Sequence, residues 1–211
     1  MKIGIIGSGN IGGTAAKLFV NAGHEVAISN SRGPESLISL VNSIGPNIKA
    51  KTVEDAVKFG DVILLAIPWR KKQDLLSVSE LFDGKIVIDA MNPYSENFEV
   101  IDLGNSTSSE EVLKQIPSSS RLVKAFNTIY YEHLRTKGNP NAPREDRFAI
   151  FVAGDNSDAN AIVSGLIEDI GFAPVDTGSL REGGRKQQPG SPIYNNPMAA
   201  KVAHARLNEI A

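Results

Sequence analysis

Residues 4–33 read GIIGSGNIGGTAAKLFVNAGHEVAISNSRG, and within them Gly7, Gly9 and Gly12 take a G-x-G-x-x-G spacing. The glycines follow an apolar run and open a helical pattern, the setting in which this spacing binds a dinucleotide. The first glycine allows a tight turn. The second removes a side chain where a pyrophosphate approaches the backbone, and the third lets the helix sit close to the strand. The N-terminal amides of that helix then face the phosphates.

The other end of the segment carries Asn30, Ser31 and Arg32. A carboxylate at this place would hydrogen-bond the ribose 2′-hydroxyl of NAD and repel a 2′-phosphate. A guanidinium engages a phosphate through a fork of charged donors, and Ser31 adds a hydroxyl. The cofactor expected is therefore NADP. The competing reading is a solvated turn in which Ser31 caps the next helix.

In doubly wound folds the ligand lies at the carboxyl ends of the strands, which directs attention to AIPWR (66–70), DAMNPY (89–94) and AFNTIYY (125–131). Trp69 suits either packing or contact with a flat ring. Asn92, Asn127 and Thr128 can orient a carboxamide or a substrate carbonyl, or serve as turn and cap residues. Asp89 ends a strand, where burial against a helix terminus is one expectation. His24 reads as a partly exposed turn residue. Tyr130 and Tyr131 are proton donors without a visible partner, and no catalytic acid–base set stands out. Hydride passage between two stacked rings needs little such help.

The elements that must position these residues are short β-branched runs alternating with helical patterns. KIGII, EVAIS, DVILLAI, KIVIDA, RLVKAF, FAIFVAG and FAPVD read as strands. Helices are expected over 14–22, 35–43, 53–58 and 110–115, from near Asp155–Asp158 to Gly171, and over 198–210. The predicted class is α/β: a Rossmann, doubly wound, mainly parallel sheet with a small C-terminal extension. A soft boundary falls in KGNPNAPRED. It divides an NADP-binding domain (1–140) from strands and helices (141–211) that complete the sheet and cover the substrate cleft.

The whole chain fits this picture. It has 211 residues, 41% apolar and 22% charged, with a formal net charge of −2. That balance gives no electrostatic footprint for nucleic acid or a membrane surface. With no cysteine, neither disulfides nor thiolate metal sites are possible, and the three histidines share no ligand spacing, so no metal is expected. No secretory signal or membrane span is read, and a cytoplasmic protein is expected.

With these loops in view, the chain resembles the coenzyme F420:NADP oxidoreductase family, whose members pass hydride between NADPH and a deazaflavin. The resemblance rests on residues 4–32, VILLAIPW, KIVIDAMNPY, VKAFNTI and DTGSL. It implies a homodimer with NADP in the glycine cleft and the deazaflavin stacked on its nicotinamide. Carried across by residue, it assigns the pyrophosphate to Ser8, Gly9, Asn10, Ile11 and Gly12, and the 2′-phosphate to Ser31 and Arg32. Ala66, Ile67 and Pro68 fall on the ribose or nicotinamide side, with Ala90, Met91, Asn92 and Pro93, and Asn127, Thr128 and Ile129, bordering the second ring.

After Leu180 the pattern departs from the family. REGGRKQQPGSPIYNNPM replaces an apolar helical stretch. Arg181, Arg185 and Lys186 could meet an anionic acceptor or simply be solvated, and the segment could close as a lid hinged at Gly183, Gly184 and Gly190. The reading is an NADPH-dependent reductase of a small-molecule redox acceptor, F420 or a flavin-like ring. Reduction of ferric chelates or a small imine, or a sensor that binds NADP(H) without turnover, are the alternatives.

Overall fold

The computed structural model describes residues 1–209. Ile210 and Ala211, the end of the expected last helix, lie outside the described residues. In chain order the elements are β1 (Lys2–Ile6), α1 (Asn10–Asn21), β2 (Glu25–Ser29), α2 (Ile38–Ile44), β3 (Ile48–Ala50), α3 (Val53–Phe59), β4 (Val62–Leu65), β5 (Ile86–Asp89), α4 (Ser108–Leu113), β6 (Arg121–Lys124), α5 (Tyr131–Thr136), β7 (Ala149–Gly154), α6 (Ser157–Asp169), β8 (Ala173–Gly178), α7 (Glu182–Lys186) and α8 (Ala200–Glu209).

The strands form one sheet in the order β3-β2-β1-β4-β5-β6-β7-β8. All neighbouring pairs are parallel except β6 with β7. This is the doubly wound α/β architecture, and the chain reverses its winding between β1 and β4. β7 and β8 extend the same sheet beyond residue 140.

Burial explains the strand compositions. All four residues of β4 and of β5 are buried, so each strand needs cover on both faces. One face packs Ile3, Ile5, Phe19 and Phe126 with α1, α5 and α6. The opposite face packs Ile6, Ile63, Leu65, Trp69 and Phe82. A third cluster joins Phe151, Val175, Ile193 and Ala203 under α8. Each such side chain contributes about 1.5–3 kcal/mol, which makes both layers necessary to the sheet.

Helix boundaries follow local capping. Thr52 accepts from the Asp55 amide at 3.1 Å to start α3, Asn156 accepts from the Ala159 amide at 2.9 Å to start α6, and Thr107 with Glu110 forms a reciprocal box at α4.

Several expectations are corrected. α1 starts at Asn10, four residues before the expected Thr14. The 35–43 helix resolves into a 3₁₀ turn (Pro34–Leu37) followed by α2. β3 and α5 escape a pattern search because they are short, three and six residues long. Residues 69–82 form 3₁₀ turns in which only Trp69, Leu75 and Phe82 are buried, a spacing that matches neither strand nor helix period. α8 starts at Ala200, not at Met198. His24 is not a partly exposed turn residue. It is 7% exposed, stands edge-on to Phe19, and its Nε2 lies 3.1 Å from Asp169 at the end of α6.

Candidate functional site

The turn after β1 is built by backbone proximity. Gly7 holds φ of 109°, and a Cβ there would lie 2.2 Å from the carbonyl oxygen of Ala66. A Cβ on Gly12 would lie 2.0 Å from the Gly7 carbonyl oxygen, so only glycine lets α1 approach this closely. Gly9 differs, since a Cβ there meets nothing within 4 Å. Its bare backbone faces open space at the N-terminus of α1, and no side chain caps that helix. Uncapped amides beside an open cradle suit a pyrophosphate. Of the other loop residues, Asn10 is exposed, Ser8 is half-buried, and Ile11 packs its side chain toward the core.

The tip of β2 is tied to this turn. Asn30 Nδ2 donates to Ser8 Oγ at 3.2 Å and to Ser36 Oγ at 2.9 Å, while Asn30 Oδ1 accepts from the Arg32 amide at 2.9 Å. Asn30 thus shapes the turn, and Ser31 and Arg32 are left exposed. Arg32 makes no ion pair among the described residues.

A cavity of about 320 Å³ opens between these pieces, lined by Gly7–Gly9, Asn30–Arg32 and Ala66–Pro68, with Val53, Lys71, Asp74 and Leu75 completing its wall. It lies where β1, β2 and β4 end, at the reversal of the sheet. Lys71 escaped the sequence reading; its ammonium is 3.8 Å from Asp74 Oδ2 on the same wall. A second groove, about 480 Å³, runs along the outer side of α1 between Lys17 and Arg135. It touches the glycine turn but none of the other strand ends.

At the ends of β5 and β6 the structure places a buried polar cluster. Asp89 and Lys124 are register partners on adjacent strands, both fully buried, with Nζ 3.0 Å from Asp89 Oδ2. Burial drives the Lys124 ammonium below the usual lysine range, and the Asp89 carboxylate opposes that shift. Beyond the cluster, Asn92 and Asn127 exchange two hydrogen bonds: Asn92 Nδ2 donates to the Asn127 carbonyl at 2.9 Å, and Asn127 Nδ2 donates to Asn92 Oδ1 at 3.1 Å. Phe126, buried and with φ of 66°, turns the chain between Lys124 and Asn127. That strain costs on the order of 1–3 kcal/mol and persists only because its surroundings hold it.

Other residues expected near the second ring take different places. Trp69 is 5% exposed within the core, with Lys72 Nζ 4.6 Å from its ring centroid, so no ring face is left open to a ligand. Met91 and Pro93 are buried, and the Met91 side chain packs into the core. Ala90 and Ile129 are half-buried, and Thr128 is buried, its carbonyl accepting from the Asn195 amide at 2.9 Å.

Residues 181–197 are anchored at Gly183, Gly184, Gln187 and Ile193, which are buried. Gly183 and Gly184 are buried in α7, where a Cβ on Gly183 would lie 2.6 Å from Thr177 Oγ1. They permit close packing on β8, whereas Gly190 is exposed, with φ of 89° and nothing within 4 Å of a Cβ placed there. Arg181 and Arg185 reach toward α4 and the loop before it: Arg181 Nη1 is 4.0 Å from Glu110, and Arg185 Nη2 donates to the Asn105 carbonyl at 3.0 Å; Lys186 is half-buried. The segment reaches the β5–β6 end through three contacts. The Gln187 carbonyl accepts from Asn127 Nδ2 at 2.9 Å, the Tyr94 and Tyr194 hydroxyls are 3.2 Å apart, and the Asn195 amide reaches Thr128. Burial raises the Tyr194 phenol above its usual range.

Comparison with known proteins bears on this arrangement. A family described as NADP oxidoreductase, coenzyme F420-dependent, matches residues 2–93. A solved hypothetical protein of Sinorhizobium meliloti is 37% identical with a TM-score of 0.84, over 94% of this chain and 95% of that one. The coenzyme F420-dependent NADP oxidoreductase family is thus matched by the first, dinucleotide-binding part of this chain. A provisionally named F420-dependent NADP reductase of Arthrobacter sp. FB24 shares the fold at 22% identity and a TM-score of 0.73, over 85% and 86% of the two chains. Metalloreductase STEAP3 of Rattus norvegicus is 30% identical over 179 residues, 85% of this chain. The match spans about a third of that relative's length, 34%. Among the described residues, no helix is long and apolar enough to cross a membrane.

Proposed function

We propose that this protein is an NADPH-dependent reductase whose acceptor is a flat redox ring, coenzyme F420 or a flavin-like compound. One observation carries the cofactor half of this reading. The tip of β2 presents Arg32, exposed and unpaired among the described residues, beside an open glycine turn and with no carboxylate in its place. A dianion there is attracted, while Lys71 on the same wall is paired with Asp74 at 3.8 Å.

The open backbone at Gly9 and the uncapped start of α1 fit a pyrophosphate, held by the amides of residues 8–12. Ser31 and Arg32 would take the 2′-phosphate, and Ile67 and Pro68 would border the ribose. When bound, NADPH supplies a hydride equivalent. The chain's own part is to hold the cofactor's polar groups and to exclude water. Few titratable groups are available at the strand ends for proton transfer, since Asp89 and Lys124 are fully engaged with each other and their neighbours. Homodimeric assembly and a cytoplasmic setting belong to the same reading through the family resemblance.

A second reading, reduction of a ferric chelate, is favoured by the similarity to a protein named a metalloreductase. The test is oxidation of NADPH followed at its absorbance band with F420, FMN and ferric citrate as acceptors. Turnover of the tricyclic rings well above that of the chelate is expected. Turnover of ferric citrate without any flavin favours the second reading, and a protein that binds NADPH yet oxidises it with no acceptor overturns the assignment as a reductase.

A further inference from the structure

The buried pair at the ends of β5 and β6 calls for an explanation beyond stability. Burying two charges is costly, and an apolar pair of similar volume commonly serves a core as well or better. β5 and β6 already pair over four registers. Yet Asp89 and Lys124 occupy the last rung of both strands, where the chains leave the sheet toward the site.

The bonding there is complete. Lys124 has three donors and three acceptors: Asp89 Oδ2 at 3.0 Å, the Met91 carbonyl at 2.5 Å and Ser108 Oγ at 2.9 Å. Asp89 accepts in turn from the Met91 amide at 2.9 Å and from Ser109 Oγ at 2.7 Å. Met91 is therefore gripped twice, its N–H by the carboxylate and its carbonyl by the ammonium. The next residue is Asn92, whose amide locks to Asn127.

The orientation of Asn127 is fixed as well. Its Nδ2 donates to the Gln187 carbonyl, which can only accept, so the other atom of the amide must be the oxygen. That oxygen is buried and has no partner among the described residues. It is an acceptor that lacks a donor, at the strand ends where the nicotinamide side of the cofactor is expected.

We propose that Lys124 is a positioning residue for the nicotinamide end of the cofactor: with Asp89 it clamps the Met91 peptide and so sets the Asn92–Asn127 amide pair that receives the carboxamide. This rests on the NADPH reading above. Lys124 touches neither cofactor nor substrate; it acts through Met91 and Asn92. The cation at the rim of the cleft, Arg32, unpaired among the described residues, handles the opposite end of the same ligand.

The test separates positioning from folding. The variants are K124M and K124M/D89N, and the measurements are thermal unfolding and calorimetric titration with NADPH and with adenosine 2′,5′-bisphosphate, which carries only the adenine end. K124M alone leaves an uncompensated buried carboxylate and is expected to melt lower. The double variant removes both charges and recovers most of that loss, so it remains a fair test if K124M fails to fold. In the double variant, binding of the bisphosphate stays within about twofold of wild type, while NADPH binding weakens about five- to tenfold, the worth of a hydrogen bond lost to a misplaced amide. Turnover with any acceptor the wild type uses falls about a hundredfold, as a misplacement near 1 Å produces. A double variant that keeps the wild-type ratio of NADPH to bisphosphate affinity overturns the proposal, as does an equal loss of both ligands. A wild-type protein that binds neither ligand instead overturns the NADP reading itself.

Discussion

Asn30 donates its amide to Ser8 Oγ across 3.2 Å, joining the tip of β2 to the glycine turn after β1. The same side chain accepts the Arg32 amide at 2.9 Å, so Arg32 is held in register with the glycine turn. Replacing Asn30 by Ala removes both ties without changing any charge. NADPH affinity is expected to fall about three- to tenfold through a loosened turn, the worth of one or two hydrogen bonds. Calorimetry on the variant checks this, with an unchanged melting temperature showing that the effect is local.

The glycines separate binding from folding. Gly9→Ala adds a methyl group into open space and is expected to leave stability nearly unchanged while abolishing most dinucleotide affinity. Gly12→Ala drives a Cβ into the Gly7 carbonyl and is expected to destabilise the fold by about 1–3 kcal/mol or more. Parallel unfolding and binding curves for the two variants test the contrast; equal stability losses would contradict it.

Much of this half of the site is legible in the sequence because its meaning is local. Gly7, Gly9 and Gly12 stand within six residues, and Asn30–Arg32 follow the next strand, so spacing alone predicts that they meet. The β5–β6 end is different. Asp89 and Lys124 are 35 residues apart, and only the parallel register brings them face to face. Lys124 sits in an otherwise apolar run, RLVKAF, which gives no sign that its ammonium is buried. Trp69 carries no signal separating a core indole from one over a ligand, and the answer came from the 3₁₀ turns that fold it inward. Glycines at 183 and 184 suggest freedom, whereas their small size serves contact with Thr177.

His24 gives the fold a pH dependence. Burial, and next the N-terminal ammonium 3.2 Å from its Nδ1, lower its pKa below the ordinary 6.5, outweighing the pull of Asp169. Between the lowered folded value and 6.5 the unfolded chain binds more protons than the folded one, so stability falls as pH descends through that window and is fully present above it. Melting temperatures measured from pH 7.5 down to 5 are expected to drop, and His24→Gln, which keeps a donor for Asp169, is expected to flatten part of that drop. An identical profile in the variant would contradict the assignment.

The anchored 181–197 segment predicts that substitutions at Gly183 act through the core. Gly183→Ala forces a methyl group against Thr177 and is expected to lower the melting temperature and displace Gln187 from Asn127. A variant of unaltered stability with faster acceptor turnover would instead favour a mobile lid. Unfolding curves read beside NADPH oxidation rates decide between the two.

The central claim is that the cation at the tip of β2 selects a 2′-phosphorylated dinucleotide. Its most direct test is calorimetric titration of NADPH and NADH into the wild-type protein and into Arg32→Asp. The wild type is expected to bind NADPH about 10- to 100-fold more tightly than NADH, the worth of charge-assisted hydrogen bonds to one phosphate, with the variant losing or inverting that preference. Equal binding of the two coenzymes by the wild type, or an unchanged preference in the variant, would contradict it.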